Sequence, residues 1–394
     1  MRKIKEDVYA VGVIDWDRSM FDELIPLPDA TSYNAYLIKG SEKTALLDTV
    51  EPSHSDGLIN NLVAAGVERL DYIVAHHGEQ DHSGSIPDIL LLYPEAKVVV
   101  NEKCKATLIN LLHIDEERFL VIEDGQTLSL GHKTLQFWDL PWVHWPETFG
   151  TYLIEDKLLF SCDFFGAHMA ASNLYVEDES FVREAAKLYY AEIMMPFRMP
   201  IRKNLDKLNQ LDIDMIAPSH GPIYQNPKFI LDAYQDWISD QVKNQVLLPY
   251  VSMHGSTGKM VEYFTNALID RGITVKRFNM VHTDLGKVAI ALVDAATIVL
   301  GAPTVLTEAH PLLAYAAILA NAMRPKTKFV SIIGSYGWSG TKTVKQLTGL
   351  IPHIKAEVIE PVLSCGLPKD DDYRALDALA DQVLAKHQSL GICT

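Results

Sequence analysis

Within the ten residues Ala75 to Gly84 stand four side chains of the kinds that hold metal ions: His77, Glu79, Asp81 and His82, in an HxExDH pattern. They directly follow the apolar run Tyr72-Ile73-Val74-Ala75, which reads as a buried strand handing its loop to a ligand. An ordinary polar loop is the bland alternative, but it does not call for four donors within six residues. The donor types narrow the metal. Imidazole mixed with hard carboxylates and no thiolate suits iron or manganese, whereas structural zinc favours cysteine. Three further donors follow apolar runs in the same way: His144 in Val143-His144-Trp145-Pro146-Glu147, Asp163 in Phe160-Ser161-Cys162-Asp163, and His220 in Ile216-Ala217-Pro218-Ser219-His220-Gly221. A single histidine after a strand usually satisfies a hydrogen bond. Repetition at several strand ends changes that reading, and the set can give about three or four ligands to each of two metals, with Asp163 bridging and open positions left for chemistry.

The elements that must position these donors alternate short apolar runs with turns. Strands are expected at Val8–Val13, Asn34–Ile38, Thr44–Asp48, Lys97–Val100, Thr134–Trp138, Thr151–Ile154 and Leu158–Phe160, with helices at Ile59–Ala65 and Ile86–Leu92. Strands mixed with crossover helices give an α/β layered domain. A helix with apolar positions Phe229, Ile230, Ala233, Tyr234, Trp237 and Ile238 then runs into the polar stretch Ser239–Gln245, which places a domain boundary near residue 243 and predicts units 1–243 and 244–394.

Beyond the boundary the rhythm becomes strand, loop, helix, with strands at Val246–Val251, Thr274–Phe278, Thr297–Leu300 and Lys328–Ile333, as in a doubly wound parallel sheet. Pro249 lies inside the first of these and predicts a bulge or the strand's end. The loop Ser252-Met253-His254-Gly255-Ser256-Thr257 is rich in hydroxyls and opens a helix with Met260, Val261, Phe264, Ala267 and Leu268 on one face. Such a loop offers backbone N–H groups, a helix dipole and hydroxyls to a phosphate. It matches neither GxxxxGK[ST] nor GxGxxG, so a single terminal phosphate fits better than a triphosphate or dinucleotide; a plain N-cap with a turn is the competing reading. Ala302, Pro303 and Thr304 follow a later strand, and Ser335, Tyr336, Gly337, Trp338 and Gly340 follow the next, where glycines let backbone approach a flat ring and aromatics shield it. FMN is the cofactor this combination suits.

At 394 residues two domains are the default. A formal charge of -16 with no basic cluster argues against nucleic acid as a partner. No apolar run is long enough to span a bilayer and the first residues carry no signal core, which predicts a cytoplasmic protein without membrane attachment. The four cysteines are dispersed without a CxxC, so neither a disulfide framework nor a rubredoxin-like module is encoded.

The ordered motifs HxExDH, HWPE, CDFFG and SHG, followed by the three flavin loops, resemble the flavodiiron proteins over nearly the whole chain. The resemblance implies an N-terminal metallo-β-lactamase-like αββα sandwich carrying two irons and a C-terminal flavodoxin-like domain carrying FMN. It implies an oxygen reductase making water or, alternatively, a nitric oxide reductase making N2O. By the same resemblance His77, Glu79 and His144 bind one iron, Asp81 and His220 the other, and Asp163 lies between them. His82 fills a position the family does not always use as a ligand. Hydrolytic relatives read HxHxDH and bind zinc; Glu79 in place of the second His adds an anionic ligand that stabilises ferric iron. Head-to-tail dimers or dimers of dimers, fed by rubredoxin or a reduced deazaflavin, are implied as well.

Two departures from the family pattern stand out. Asp22 occupies a slot that usually holds His, and Leu306-Thr307 stand where a pair of Asn is common, so oxygen handling and the flavin's pyrimidine edge are expected to differ. Two rival readings come from other classes: a zinc metallo-hydrolase with an accessory flavodoxin-like domain, and a flavodoxin-type carrier with a structural metal.

Overall fold

A computed structural model describes residues 1–338 and 341–393 and divides them into two compact units. The first comprises Met1–Tyr190 with Phe197–Ile238, and the second Ala191–Pro196 with Ser239 onward.

In the first unit a seven-stranded sheet runs Arg2–Lys5, Val8–Ala10, Tyr36–Lys39, Thr44–Leu47, Tyr72–Val74, Lys97–Val100, Phe119–Val121. A five-stranded sheet runs Thr127–Ser129, Thr134–Asp139, Phe149–Leu153, Leu158–Phe160, Met215–Ala217. The period of two along each strand decides what faces what. Ile38, Leu47, Val74 and Val99 join Phe137, Phe149, Leu153 and Phe160 of the other sheet in one core. Their neighbours Leu37, Leu46, Ile73 and Val98 face the opposite way, against Leu58, Leu62, Ile86, Ile89 and Leu108 of the helices Ser55–Ala64, Ile86–Leu92 and Glu102–Leu112. Two sheets packed face to face with helices outside are what these two cores require.

The expected single strand Val8–Val13 is broken. Val8–Ala10 belongs to the large sheet and Val13–Asp15 pairs with Thr31–Tyr33, because the Val11 and Gly12 amides both donate to Ala35 O at 2.8 and 3.2 Å. Gly12 is required there: a Cβ would stand 2.2 Å from Tyr33 O.

The second unit is a parallel sheet in the order Thr274–Asn279, Lys243–Tyr250, Ala295–Val305, Phe329–Tyr336, then Glu357–Val358 with Val362–Cys365. In sequence order that is 2-1-3-4-5, the flavodoxin-like arrangement. Pro249 is the penultimate residue of its strand, opposite Phe278, and the irregularity in that strand lies between Lys243 and Val246 instead. The helix Ser256–Asp270 buries the predicted Met260, Val261, Phe264, Ala267 and Leu268, capped by Gly255 at φ 90. The strand Ala295–Val305 runs five residues beyond the expected Leu300 and turns into a hairpin, Thr304 opposite Ala309 and Val305 opposite Glu308. Ala302, Pro303, Thr304, Ser335 and Tyr336 are therefore strand residues and not loop residues.

Candidate diiron and flavin sites

Strand register carries the first site to one edge of the sandwich. Leu47 lies opposite Val74, so the segments beginning at Asp48 and Ala75 leave the large sheet side by side. In the other sheet Asp139 lies opposite Phe149, Thr151 opposite Phe160, and Phe160 opposite Ala217. That register brings together the loops holding His144, Asp163 and His220. Asp81 and His82 sit on a single helical turn, Gln80–Ser83, rather than in a continuous loop.

All seven predicted metal donors converge. Asp163 is the centre: Oδ2 faces His77 Nε2 at 2.9 Å and His144 Nε2 at 3.6 Å, while Oδ1 faces His82 Nε2 at 3.0 Å and His220 Nε2 at 3.4 Å. Glu79 Oε2 stands 3.0 Å from His144 Nε2, and Asp81 bridges His82 and His220 at 3.3 Å each. Two groups of donors result, one of His77, Glu79 and His144 and one of Asp81, His82 and His220, with one oxygen of Asp163 turned to each. His77, His82 and Asp163 are fully or almost fully buried. Yet His77 Nε2, His82 Nε2, Asp81 Oδ1 and both oxygens of Asp163 lack a hydrogen-bond partner among the described residues. Buried polar atoms left so are costly, and convergence on shared points without hydrogen-bond geometry is how ligands of a cation are disposed. The residues present therefore fit a pair of metal ions.

Electrostatically the donors neutralise one another. Burial works against a charged Asp163, but the imidazoles of His82 and His77 outweigh it and hold the carboxyl well below the carboxylate range. Burial also opposes charge on His220, and the carboxylates of Asp163 and Asp81 nonetheless push it up to about 9. Burial and the Asp163 charge push the Cys162 thiol well up, which keeps it protonated.

A supporting network is absent from the sequence reading. Asp48 accepts from the His76 backbone N–H at 2.9 Å and from Ser219 Oγ at 3.2 Å, and its Oδ2 lies 2.7 Å from His76 Nδ1; His76 Nε2 in turn meets Thr151 Oγ1 at 2.8 Å. This buried chain ties two ligand-bearing segments, those of His77 and His220, to the neighbouring strands. The signal for it was the carboxylate ending one strand and the second histidine beside His77. On the outer side His220 Nδ1 donates to Ser32 O at 2.7 Å, which directs Nε2 towards Asp163. A cavity of about 170 Å³ opens beside Glu79 and Asp81, lined also by Arg18, Asp22, Thr31, Tyr33, Glu51 and His168. Asp22, at the tip of the hairpin Met20–Phe21/Ile25–Pro26, does face this cavity.

The second site is a cavity of about 150 Å³ at the C-terminal edge of the parallel sheet. Met253, His254, Ser256, Thr257, Pro303, Thr304, Ser335, Tyr336 and Gly337 of the predicted set line it, and Gly366, not anticipated, joins them. Ser252 accepts from Gly258 N at 3.0 Å, Gly255 caps the helix, and Ala302 is buried in its strand. Trp338 is 65% exposed, and Gly340 lies outside the described residues. Thr257 Oγ1 and Ser335 Oγ are 2.8 Å apart, so hydroxyls from two elements meet at one helix N-terminus. Leu306 and Thr307 form the two-residue hairpin turn, both left-handed at φ 50 and 69. The lining suits a phosphorylated flat ring, with hydroxyls and a helix N-terminus for the phosphate and Tyr336 and glycine backbone for the ring.

Residues 31–221 match the ODP family beta lactamase. A nitric oxide reductase of Moorella thermoacetica is 33% identical over 97% of this chain and 98% of that protein. The chain belongs to the flavodiiron protein family. A coenzyme F420H2 oxidase of Methanothermobacter marburgensis is 33% identical over 88% of this chain and 89% of its own length. The solved rubredoxin oxygen:oxidoreductase of Desulfovibrio gigas superposes with a TM-score of 0.94 at 28% identity, over 98% of both chains. The metallo-β-lactamase-like sandwich and flavodoxin-like sheet expected of a flavodiiron protein are both present.

Proposed function

We propose that this flavodiiron protein is an oxygen reductase that takes electrons at FMN and reduces O2 to water at a pair of irons. The carrying observation is Asp163, whose two buried oxygens each face a separate group of donors. His77, Glu79 and His144 would hold one iron, Asp81, His82 and His220 the other, and Asp163 would lie between. Iron there supplies one-electron redox chemistry and open positions for a diatomic molecule. The protein's own part is to aim the imidazoles through Ser32 O and the Asp48–His76 chain, and to bury the centre. Ser256 and Thr257 would hold the FMN phosphate, with Pro303, Thr304, Ser335, Tyr336 and Gly337 along the ring. Reduction of nitric oxide at the same centre is the second reading, favoured by the Moorella relative.

A head-to-tail homodimer, alone or paired, would place the flavin of one chain against the irons of another. The donor would be rubredoxin or a reduced deazaflavin, as the names of two relatives suggest. A cytoplasmic location accords with four free cysteines, and no described helix is long and apolar enough to cross a membrane.

Metal analysis with a visible spectrum tests the reading: iron and flavin should appear at about two to one, with oxygen consumed once the flavin is reduced. Two zincs without flavin would instead support the hydrolase, and flavin without iron the carrier. Mixing Asp163→Ala chains with Ser256→Ala/Thr257→Ala chains under subunit exchange should restore activity if transfer crosses a dimer interface, and should leave every mixture inactive if it does not.

A further inference from the structure

Reduction of O2 to two waters takes up four protons with four electrons, and the cavity beside Glu79 and Asp81 must deliver those protons. Its walls offer few donors. Arg18 does not release its proton. Burial pushes the Tyr33 hydroxyl far up, so it holds its proton too tightly. Burial holds the His168 ring in its neutral form, which is no acid at working pH, and its Nδ1 is 3.0 Å from Thr31 Oγ1. Two carboxyls remain that the metal-binding reading does not use, Asp22 and Glu51, on segments far apart in the chain.

We propose that Asp22 and Glu51 are the acids that protonate the reduced diatomic molecule in this cavity, Asp22 on the Glu79–His144 side and Glu51 on the Asp81 side. The proposal rests on the function proposed above. The groups facing Asp22 are Glu79, His144, Asp81 and Arg18; those facing Glu51 are Asp81, Arg18, His54 and Asp15. Both carboxyls line the cavity itself, and partial burial, the largest cause, raises each above its ordinary range, the direction a general acid at neutral pH needs. Each gives its proton to an oxygen atom that has received electrons by way of the flavin, is left as a carboxylate, and reloads from water. Asp22 is exposed and Glu51 half-buried, so both reach solvent.

The test compares intact holoenzyme with Asp22→Asn, Glu51→Gln and the double variant. Iron content, FMN content and the rate of flavin reduction should stay at wild-type values while oxygen consumption by the double variant falls about a hundredfold with a larger solvent deuterium isotope effect. Asp22→Glu and Glu51→Asp should retain most of the rate. In metal-free protein, infrared difference spectra of wild type against each variant should show a carboxyl titrating above the ordinary range. A double variant that consumes oxygen at the wild-type rate with an unchanged isotope effect overturns the proposal, as do carboxyls titrating at or below the ordinary range. If instead the proposed function is wrong, wild-type protein with reduced flavin turns the oxygen it consumes into hydrogen peroxide and not water, and the proposal falls with it.

Discussion

Glu192 offers a measurement in which burial alone sets the answer. It lies in the wide helical turn Tyr190–Met194, in the segment that packs as part of the second unit, and neither carboxyl oxygen has a hydrogen-bond partner among the described residues. Burial, then the charge of Asp284, pushes the carboxyl from its ordinary 4.5 up to about 9. The folded protein therefore keeps a proton that the unfolded chain releases. Stability contributed by the neutral acid is fully present below pH 4.5 and is lost progressively as pH rises towards 9. At about 1.36 kcal/mol per pH unit the loss is about 3 kcal/mol at pH 7 and about 6 kcal/mol at pH 9, both upper bounds. Glu192→Gln keeps the shape and removes the titration. Calorimetric melts of wild type and variant should coincide near pH 4.5, then diverge in favour of the variant as pH rises. Parallel curves across that range would refute the reasoning, because they would mean that Glu192 ionises freely or finds a cation when it does.

Three further outcomes are expected. Glu79→His removes the second anionic donor of its group, so metal analysis should show zinc displacing iron and oxygen consumption should vanish while FMN stays bound; an iron-loaded, active variant would show that Glu79 is not a ligand. Ser256→Ala with Thr257→Ala deletes two hydroxyls that can bond a charged phosphate, each worth about 1.5–3 kcal/mol, so FMN affinity by titration should fall by roughly two orders of magnitude or more. Thr307→Gly relieves a β-branched residue at φ 69 in the exposed hairpin turn and should raise the melting free energy by roughly 1 kcal/mol, an effect that chemical denaturation can resolve.

The convergence of the predicted donors was legible because a donor-rich loop obeys local rules. It follows a strand, and its donors crowd into a few residues, as His77, Glu79, Asp81 and His82 do. The strands themselves were legible by apolar run, but their sheet membership was not. Val8 to Val13 is one run in the sequence and two strands in space, since the break depends on Ala35 O, which accepts from the Val11 and Gly12 amides, and on Tyr33, which lies opposite Val13, each twenty or more residues away in the chain. The helix Ser256–Asp270 was legible for the same local reason, its hydroxyls standing next to its apolar stripe. The extension of Ala295–Val305 into a hairpin was not, because Leu306-Thr307 lacks the Asn or Gly that marks such a turn.

What sequence could not supply was everything that meets the metal donors from outside their own loops. Asp48 reads as the end of a strand, Glu51 as a solvated acid, His168 as one histidine among fourteen. Their significance comes from register: Leu47 opposite Val74 puts Asp48 under His76, and the same pairing carries Glu51 round to the mouth of the cavity. A donor announces itself by its type, whereas a residue that orients a donor is defined only by distance. The hydrogen bond from His220 to Ser32 O spans 188 positions of the chain. No window along the sequence contains both, so the aim of the imidazole, and with it the separation of the two donor groups by Asp163, is a property of the folded sandwich alone.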